Sequence, residues 1–245
     1  ITQLEQGKKT LHINQIMVES VIPIHPSLTK DENNGYWTKL IDNIRNKMLD
    51  GKNYYASMCP TPDEFYLFWT LIIERKIETI VNLTGFVEKT IQKCHKYFST
   101  EKKNMPIKDP SNNASEQINI KTIKIKSIKM ENSEEYQKYG TEYTIEIYKN
   151  NQLHTLKIIH CDTWPDHGVP TPESNLLYNI YELLMKNKKK NILVHCSAGI
   201  GRTGTLLSYI TTRNVIQKQV EKYNNITYEH MLKICNICFQ VIRSF

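Results

Sequence analysis

The sequence predicts an α/β (α+β) fold in which helices flank a highly twisted mixed β-sheet. Some stretches alternate apolar and polar residues as strands do, and others repeat apolar residues at helical spacing. A buried strand also runs directly into a glycine-containing turn and a helix, a succession typical of helices covering a sheet. The 245 residues suffice for one large domain, so we expect a single domain over residues 1–245.

The first half of the chain predicts one helix and a meander of strands. "TPDEFYLFWTLIIERK" predicts the helix, because Thr61 and Glu64 can form a capping box and Pro62 stands at the first helical position. "TIVNL" follows as a short β-rich run. From Ile118 to His160 the pattern alternates, and "INIKTIKIKSIKM", "TEYTIEIY" and "HTLKII" predict antiparallel strands. "KDPSNNASEQ", which precedes them, is typical of an exposed loop.

The second half predicts three helices and one buried strand. "PESNLLYNIYELLMKN" is amphipathic, with its apolar residues on one helical face. "NILVH" reads as a buried strand, followed by the helices "RTGTLLSYITTRNVIQ" and "TYEHMLKICNICFQVIR". The apolar face comprises Leu176, Leu177, Ile180, Leu183 and Leu184.

Composition and charge exclude several classes of protein. No segment approaches the roughly 18 apolar residues of a membrane span, and the first residues lack the apolar core of a signal peptide. The formal charge of +7 indicates affinity for anions. The lysines lack interleaved aromatic residues, which favours a solvated surface over a nucleic-acid platform.

The six cysteines stand at irregular spacing and do not form the pattern of a secreted disulfide framework. The sequence therefore favours a reduced, intracellular compartment, and we expect a cytoplasmic protein. Cys235 and Cys238 lie in an apolar helical pattern without a second ligand pair, so we expect buried thiols and no zinc. We expect no metal and no cofactor elsewhere.

The stretch "VHCSAGIGRTG" predicts a site for a tetrahedral oxyanion. Between strand and helix, its backbone N–H groups and the positive helix end point toward one spot. Gly199 and Gly201 permit the close backbone approach that such a turn needs, and Arg202 offers a planar fork for two phosphate oxygens. The loop that would bind phosphate comprises Ser197, Ala198, Gly199, Ile200, Gly201 and Arg202.

Cys196 stands at the mouth of this turn. A cysteine at a strand end is usually inert packing. Here the amides, the helix end and the guanidinium would stabilise the thiolate of Cys196. Aimed at a bound phosphorus, that thiolate would act as the nucleophile. The strand–turn–helix context and the two glycines favour this second interpretation.

A second stretch, "TWPDHGVP", supplies an acid. A thiolate that cleaves an aryl phosphate needs a group to protonate the departing oxygen. Asp166 lies between Pro165 and Gly168, in a segment that suits a small hinged loop. Alone, Pro-Asp is more often a simple turn, but the two stretches together indicate a phosphatase chemistry.

These stretches resemble the cysteine-dependent protein tyrosine phosphatases of the tyrosine-specific, non-receptor type, whose signature is H-C-x5-R. The segment from Tyr54 to Phe98, "DNIRNKMLDG" and "VIPIHPSLT" also resemble family regions, so the likeness extends from about Met17 to Phe245. The divergence and the composition resemble the phosphatases encoded by insect-associated viruses, particularly those of parasitic wasps.

The resemblance implies a role for each matching residue. Cys196 would be the nucleophile, Arg202 the phosphate clamp, and Asp166 the general acid and then the base. His195 would tune the thiolate and Thr203 would hydrogen-bond it as it leaves. Four residues would support the site: Glu88 by bracing Arg202, Lys93 by contacting Asp166, and Trp164 with Pro165 by anchoring the moving loop.

The chain departs from the family at two places. Val18 and Ser20 stand where the family has the tyrosine and aspartate of its phosphotyrosine-recognition stretch. Loss of the stacked ring weakens the grip on substrate by about 1 kcal/mol. Asn236 and Gln240 occupy the places of two family glutamines on a late loop, the first of which orients the hydrolytic water.

Three functions remain open on sequence grounds. The first is hydrolysis of phosphotyrosine on proteins through a phosphocysteine, with a bell-shaped, mildly acidic pH optimum. The second is a module that holds phosphoproteins with feeble catalysis, as Val18, Ser20 and Asn236 suggest. The third is a phosphatase for RNA 5′ ends or phosphoinositides. We expect a monomer that acts on phosphotyrosine-containing proteins, with no membrane span. The sequence disfavours a nucleic-acid partner without excluding one.

Overall fold

In the computed structural model, residues 2–6, 9–16, 51–109, 117–129, 138–164, 168–171, 174–222 and 227–243 are described. Within these ranges one large mixed sheet holds nine strands in the order β1-β2-β3-β11-β4-β10-β9-β8-β7, and β5 with β6 forms a separate hairpin. None of the described helices is long and apolar enough to cross a membrane. The strands are β1 Thr2–Gln6, β2 Lys9–Ile16, β3 Asn53–Ser57, β4 Thr79–Asn82, β5 Val87–Glu88, β6 Ile91–Gln92, β7 Asn104–Lys108, β8 Gln117–Lys129, β9 Lys138–Lys149, β10 Gln152–His160 and β11 Asn191–His195.

Four α-helices accompany the sheet in the described residues. The first begins after a short 3-10 turn, Pro62–Glu64. The carboxylate of Glu64 accepts hydrogen bonds from the backbone N–H and the hydroxyl of Thr61, at 2.8 and 2.9 Å. The helices are α1 Phe65–Glu74, α2 Leu176–Lys186, α3 Gly201–Lys222 and α4 Tyr228–Arg243.

Parallel strands form the buried centre of the sheet. Strand β11 pairs in parallel with β3 and with β4, and β4 pairs in parallel with β10. Successive residues of these strands point to opposite faces, yet both sets are buried because helices cover both faces. Leu193 lies in one apolar cluster, while Ile192 and Val194 lie in the other.

The two clusters give the sheet a core on each face. The first contains residues of α1, with Phe68 and Trp69 fully buried, and the aromatic residues Tyr97 and Phe98. The second contains residues of α2 and α3. Each cluster removes apolar surface from water, which is the main favourable contribution to folding. The central strands are therefore fixed from both sides, and the loop that follows β11 starts from a rigid point.

Most predicted elements are confirmed. The helix at α1, the meander β8-β9-β10, the buried strand β11 and the helices α3 and α4 all form. Helix α2 begins at Leu176, later than its amphipathic pattern predicts, because Asn175 adopts a left-handed conformation with φ 48°. Val18, Ser20 and most of the predicted exposed loop lie outside the described residues.

The cysteine prediction is wrong for one pair. Cys59 and Cys94 form a disulfide, with Cα atoms 5.6 Å apart and a sequence separation of 35 residues. Irregular spacing hides such a pair, because the two cysteines approach only when β3 and the β5–β6 hairpin fold against each other. On α4, Cys238 is buried and Cys235 is half-buried, and both are free thiols. Burial raises the pKa of Cys238 to about 12, which keeps this thiol protonated.

Candidate active site

The loop from Cys196 to Arg202 lies between the buried end of β11 and the start of α3. Cys196 is 5% exposed and follows His195, the last residue of the strand. Helix α3 begins at Gly201, and the N–H of Gly204 already donates to the carbonyl of Ile200 at 2.8 Å. The N-terminal N–H groups of a helix have no partner within the helix and carry a partial positive charge. The loop therefore brings a sulfur and a helix N-terminus to one place.

Gly199 is the residue that lets this loop close on its neighbour. Its φ is +76°, a conformation that favours glycine. A Cβ at this position would lie 2.5 Å from the carbonyl oxygen of Ser57 and 2.7 Å from the backbone nitrogen of Met58. In addition, the N–H of Cys59 donates to the carbonyl of Ser197 at 3.0 Å. The segment after β3 thus supports the loop from behind.

Arg202 is held in one orientation by Glu88. Its two terminal nitrogens donate to the two carboxylate oxygens at 2.6 and 2.8 Å, and one also donates to the carbonyl of Leu83 at 3.1 Å. The two side chains are only 13% and 12% exposed. A bidentate pair in this setting fixes the plane of the guanidinium. The expectation that Glu88 braces Arg202 agrees with this geometry.

Glu88 is itself held by its own turn. Its Oε1 accepts from the hydroxyl of Thr84 at 2.7 Å and from the N–H of Gly85 at 3.0 Å. The hydrogen bonds from Arg202 first, then those from Thr84 and Gly85, lower the pKa of Glu88 to about 2, although burial opposes them. The carboxylate is therefore charged at neutral pH. It cannot release Arg202 by protonation near neutral pH.

His195 is a buried, neutral residue that contacts the loop. The ring is fully buried, and burial lowers its pKa to about 4, so it is neutral at pH 7. Nδ1 lies 3.2 Å from the carbonyl oxygen of Cys196, and Nε2 lies 2.7 Å from the hydroxyl of Tyr97. Because a carbonyl can only accept, Nδ1 carries the proton and Nε2 accepts from Tyr97. His195 thus orients the main chain of Cys196 through this hydrogen bond.

Two buried hydroxyls near the loop have no hydrogen-bond partner among the described residues. Thr203 Oγ1 is one, in a residue that is 1% exposed, and Ser57 Oγ is the other. A buried hydroxyl without a partner costs roughly 1–3 kcal/mol. A group bound in the loop, or a departing thiolate, would give Thr203 a partner. This is consistent with the role that the resemblance implies for Thr203.

The loop that carries Asp166 is described only at its ends. Trp164 is 4% exposed, lies in the second apolar cluster, and donates from Nε1 to the carbonyl of Gly168 at 3.0 Å. Pro165 and Asp166 lie outside the described residues, so the placement of the general acid stays a prediction. Lys93 is half-buried directly after β6. The tryptophan ties the two ends of the loop together, as an anchor would.

Asn236 and Gln240 do not stand on a loop. Both lie inside helix α4, which runs unbroken from Tyr228 to Arg243, and Asn236 is exposed to solvent. The side chain of Gln240 is not described. The helix expected for this segment is confirmed, so the two residues do not stand on a loop as the corresponding family glutamines do. That Asn236 orients water stays a prediction without a contact to support it.

The structure adds residues that sequence reasoning did not assign. Tyr97 bonds His195, Thr84 bonds Glu88, and the backbone of Ser57 lies against Gly199. Tyr97 and Thr84 stand in the "KCHKYF" and "LTGFVEK" segments, which the resemblance covers without roles. A fully buried tyrosine needs a hydrogen-bond partner, but the sequence does not say that the partner is a histidine 98 residues away.

The arrangement can hold a phosphate oxyanion beside a sulfur. Arg202 supplies charge, the loop and helix end supply N–H donors, and Cys196 stands at the base. Among the described residues, one set with metal-ligand atoms lies near this loop: Cys59, Cys94 and His195, whose atoms are within 4.8 Å of one another. Since the two sulfurs are bonded to each other, they do not offer thiolates to a metal.

Comparison with known proteins gives consistent results. The family model "Protein-tyrosine phosphatase" matches residues 28–241. Receptor-type tyrosine-protein phosphatase eta of Gallus gallus is 32% identical over 180 residues, which span 71% of this chain and 11% of that protein. Tyrosine-protein phosphatase non-receptor type 2 of Rattus norvegicus is 30% identical over 179 residues, spanning 71% of this chain and 39% of that protein.

A solved structure shares the fold. The Trypanosoma cruzi protein tyrosine phosphatase TcPTP1 superposes with a TM-score of 0.61 at 21% sequence identity, covering 79% of this chain and 61% of that one. The family model covers most of the chain, including the loop from Cys196 to Arg202 and Glu88, its partner. The chain belongs to the protein-tyrosine phosphatase family.

Proposed function

We propose that this chain hydrolyses phosphotyrosine on proteins through a phosphocysteine intermediate. The observation that carries the proposal is the fixed guanidinium: Glu88 holds Arg202 by two hydrogen bonds beside the loop that begins at Cys196. A clamp with a fixed plane favours a tetrahedral oxyanion with two oxygens in that plane. Family membership and the names of the matched relatives support tyrosine as the substrate residue.

The first step transfers the phosphoryl group from tyrosine to the sulfur of Cys196. The loop amides and Arg202 bind the phosphate oxygens, and the Cys196 thiolate attacks phosphorus. The bond from phosphorus to the tyrosyl oxygen breaks, and Asp166 donates a proton to that oxygen, so a neutral phenol leaves. Groups already aimed at the developing charge need not reorganise, which is the main source of such catalysis.

The second step hydrolyses the phosphocysteine and regenerates the thiolate of Cys196. Water attacks the phosphocysteine, Asp166 accepts its proton, and the bond between sulfur and phosphorus breaks. Cys196 leaves as a thiolate, and the hydroxyl of Thr203 donates a hydrogen bond to it. The unpartnered Oγ1 of Thr203 supports this assignment, because the leaving sulfur is the partner that the folded chain lacks.

We further propose that the chain acts as a monomer on phosphotyrosine-containing proteins of the cytoplasm, in signalling. The match to a non-receptor relative supports this setting. A viral origin stays a prediction from composition.

Steady-state rates on four substrates test the proposal. A phosphotyrosyl peptide should be hydrolysed faster than a phosphoseryl peptide, 5′-phosphorylated RNA or a phosphoinositide head group. Cys196→Ser should abolish turnover, whereas Cys238→Ala, at a buried free thiol of α4, serves as the matched control. Turnover that survives Cys196→Ser, or a preference for RNA or lipid, contradicts the proposal. A burst of one product per chain followed by near arrest favours a module that holds phosphoproteins.

A further inference from the structure

The part of the large sheet formed by β8 and β9 has one polar face. Residues that face each other across a strand pair lie on the same side of a sheet, so the register shows which side chains share this face. It is the side on which the second apolar cluster joins α2 and α3 to β10, β4 and β11. Over β8 and β9, the described residues on this side are mostly polar: Lys121, Lys124, Lys126, Glu142, Thr144, Glu146 and Tyr148.

Three lysines of β8 lie on this face, and we call Lys121, Lys124 and Lys126 the lysine row. All three side chains are exposed. Within the described part of the chain, none of their ammonium groups has an ion pair or a hydrogen bond. Lys121 faces Glu146 in the register, but the carboxylate of Glu146 accepts a hydrogen bond from the hydroxyl of Tyr148 at 2.8 Å. The row therefore presents positive charge that is available to a partner.

The row ends beside the segment that leads to the acid loop. A cavity of about 300 Å³ lies between β8, β9 and α2, and Lys126 and Tyr139 both line it. The carbonyl of Tyr139 accepts a hydrogen bond from the hydroxyl of Thr163 at 3.1 Å. Thr163 directly precedes Trp164, the anchor of that loop. A peptide bound along the row therefore reaches the edge of the sheet where the catalytic loop begins.

The register also gives the distance from the row to the nucleophile. Across successive strands, Lys126 lies level with Glu142, Ile159, Val81 and Val194. The nucleophile follows two residues after the last of these. Four strand spacings of about 4.8 Å separate the two ends, which makes about 19 Å. An extended peptide needs about six residues to cover this distance.

We propose that the lysine row docks an acidic segment of the phosphoprotein substrate, at least about six residues away from the phosphotyrosine. The inference rests on the proposed function and names a substrate class for it. Lys124 and Lys126 are two residues apart on one strand, so their side chains leave the sheet about 6.7 Å apart. Alternate side chains of an extended peptide have the same spacing. Carboxylates at alternate positions can therefore each meet an ammonium group.

The same face disfavours a partner with a continuous row of phosphates. Glu142 and Glu146 lie among the lysines, and Glu142 pairs with Lys157 at 3.0 Å. Their carboxylates repel a nucleic-acid backbone or an anionic bilayer, which cannot leave out individual charges. A peptide can place its carboxylates over the lysine row and uncharged side chains over the two glutamates. The pattern of charge therefore favours an acidic peptide.

Matched phosphotyrosyl peptides test the proposal on the whole chain. In one peptide, a ten-residue Gly/Ser spacer with an r.m.s. length of about 18 Å joins phosphotyrosine to a segment with three glutamates at alternate positions. In the reference peptide these are glutamines, and both peptides are made with the segment on either side. We expect kcat/KM to be about threefold to tenfold higher with glutamate for at least one order, as for three exposed ion pairs. In 1 M salt, where charges are screened within about 3 Å, the difference should disappear.

Two triple variants show where the acidic segment binds. Lys121→Gln with Lys124→Gln and Lys126→Gln should make the glutamate and glutamine peptides equal, while turnover of para-nitrophenyl phosphate stays unchanged. A two-residue spacer is too short to reach the row, so with that spacer these substitutions should have no effect. The control variant removes three exposed lysines before β4 and β11, at the opposite edge of the sheet, and should keep the preference: Lys76→Gln, Lys188→Gln and Lys190→Gln.

Binding of the unphosphorylated glutamate peptide, measured by fluorescence anisotropy, tests the face without catalysis. Its Kd should rise about threefold to tenfold in the row variant and stay unchanged in the control variant. The inference is overturned if both variants behave alike, if the row substitutions act equally with both spacers, or if RNA or phosphatidylserine vesicles bind the row more tightly than this peptide. Absence of turnover on every phosphotyrosyl peptide overturns the proposed function, whereas row-dependent binding of the unphosphorylated peptide supports the docking face even then.

Discussion

Replacing Glu88 by glutamine tests how much the arginine clamp depends on its partner. The variant keeps the shape of the side chain and removes its charge, so one amide N–H₂ faces the donors of Arg202. The difference between the ordinary pKa of 4.5 and about 2 in the folded chain sets the scale. It corresponds to roughly 3–4 kcal/mol of stability at neutral pH, and solvent screening of the partly exposed pair reduces this to about 1–3 kcal/mol.

The sign of the pH dependence follows from the lowered pKa. Folding favours the charged carboxylate, so the stabilisation is complete well above pH 4.5 and is lost as the pH falls toward 2. Urea unfolding of both chains from pH 7 downward should show a gap of about 1–3 kcal/mol that begins to close below about pH 4.5. The variant should also lose about tenfold to a hundredfold in kcat/KM on a phosphotyrosyl peptide, because the guanidinium is no longer fixed.

A control for this experiment lies elsewhere in the chain. Glu101 pairs with Lys103 at 3.0 Å, but both side chains are largely exposed, at 73% and 62%. Exposed pairs of this kind contribute little, so Glu101→Gln should leave the urea midpoint and the kinetics unchanged. If Glu88→Gln behaves like Glu101→Gln in both assays, the clamp does not depend on its carboxylate and the reasoning is refuted.

Three further substitutions test the loop. Tyr97→Phe leaves Nε2 of His195 buried without its donor, and it should cost about 1–3 kcal/mol in urea unfolding; an unchanged midpoint would mean that this hydrogen bond is not formed in solution. Gly199→Ala should weaken tungstate binding more than tenfold by calorimetry, because a Cβ there collides with the facing backbone. Gly51 has a similar φ of +71° but open space around it, so Gly51→Ala should leave tungstate binding unchanged. If both variants weaken tungstate binding equally, the collision of the Cβ is not the cause. Thr203→Val should raise the free energy of unfolding by up to about 1–3 kcal/mol, because it removes a buried hydroxyl that has no partner among the described residues. It should slow turnover by about tenfold in stopped-flow assays, and normal turnover would exclude a role for the hydroxyl.

The sequence predicted the part of the site that is local in the chain. The strand, the turn and the helix around Cys196 are consecutive, and each has its own signal in hydrophobic periodicity and glycine placement. The pairing of Glu88 with Arg202 spans 114 residues and came only from resemblance. The periodicity of a single sequence does not specify which of its carboxylates pairs with a given arginine in the fold.

The disulfide shows where prediction failed, whereas the late helix shows where a local signal sufficed. Cys59 and Cys94 meet because the end of β3 and the β5–β6 hairpin approach in space, which spacing along the chain does not encode. The helix that contains Asn236 is confirmed, because the apolar repeat of this segment is a local signal. The family glutamines that correspond to Asn236 and Gln240 lie on a loop, so the role that the resemblance implies for Asn236 does not follow from its place in this helix.

Rapid quenching tests the central claim most directly. The chain is mixed with a phosphotyrosyl peptide that carries labelled phosphate, stopped with acid within the first turnover, and digested for peptide mapping. The account predicts label on the peptide that contains Cys196, and none in the Cys196→Ser chain. Label on another residue, or steady release of phosphate with no labelled chain at any time, would contradict it.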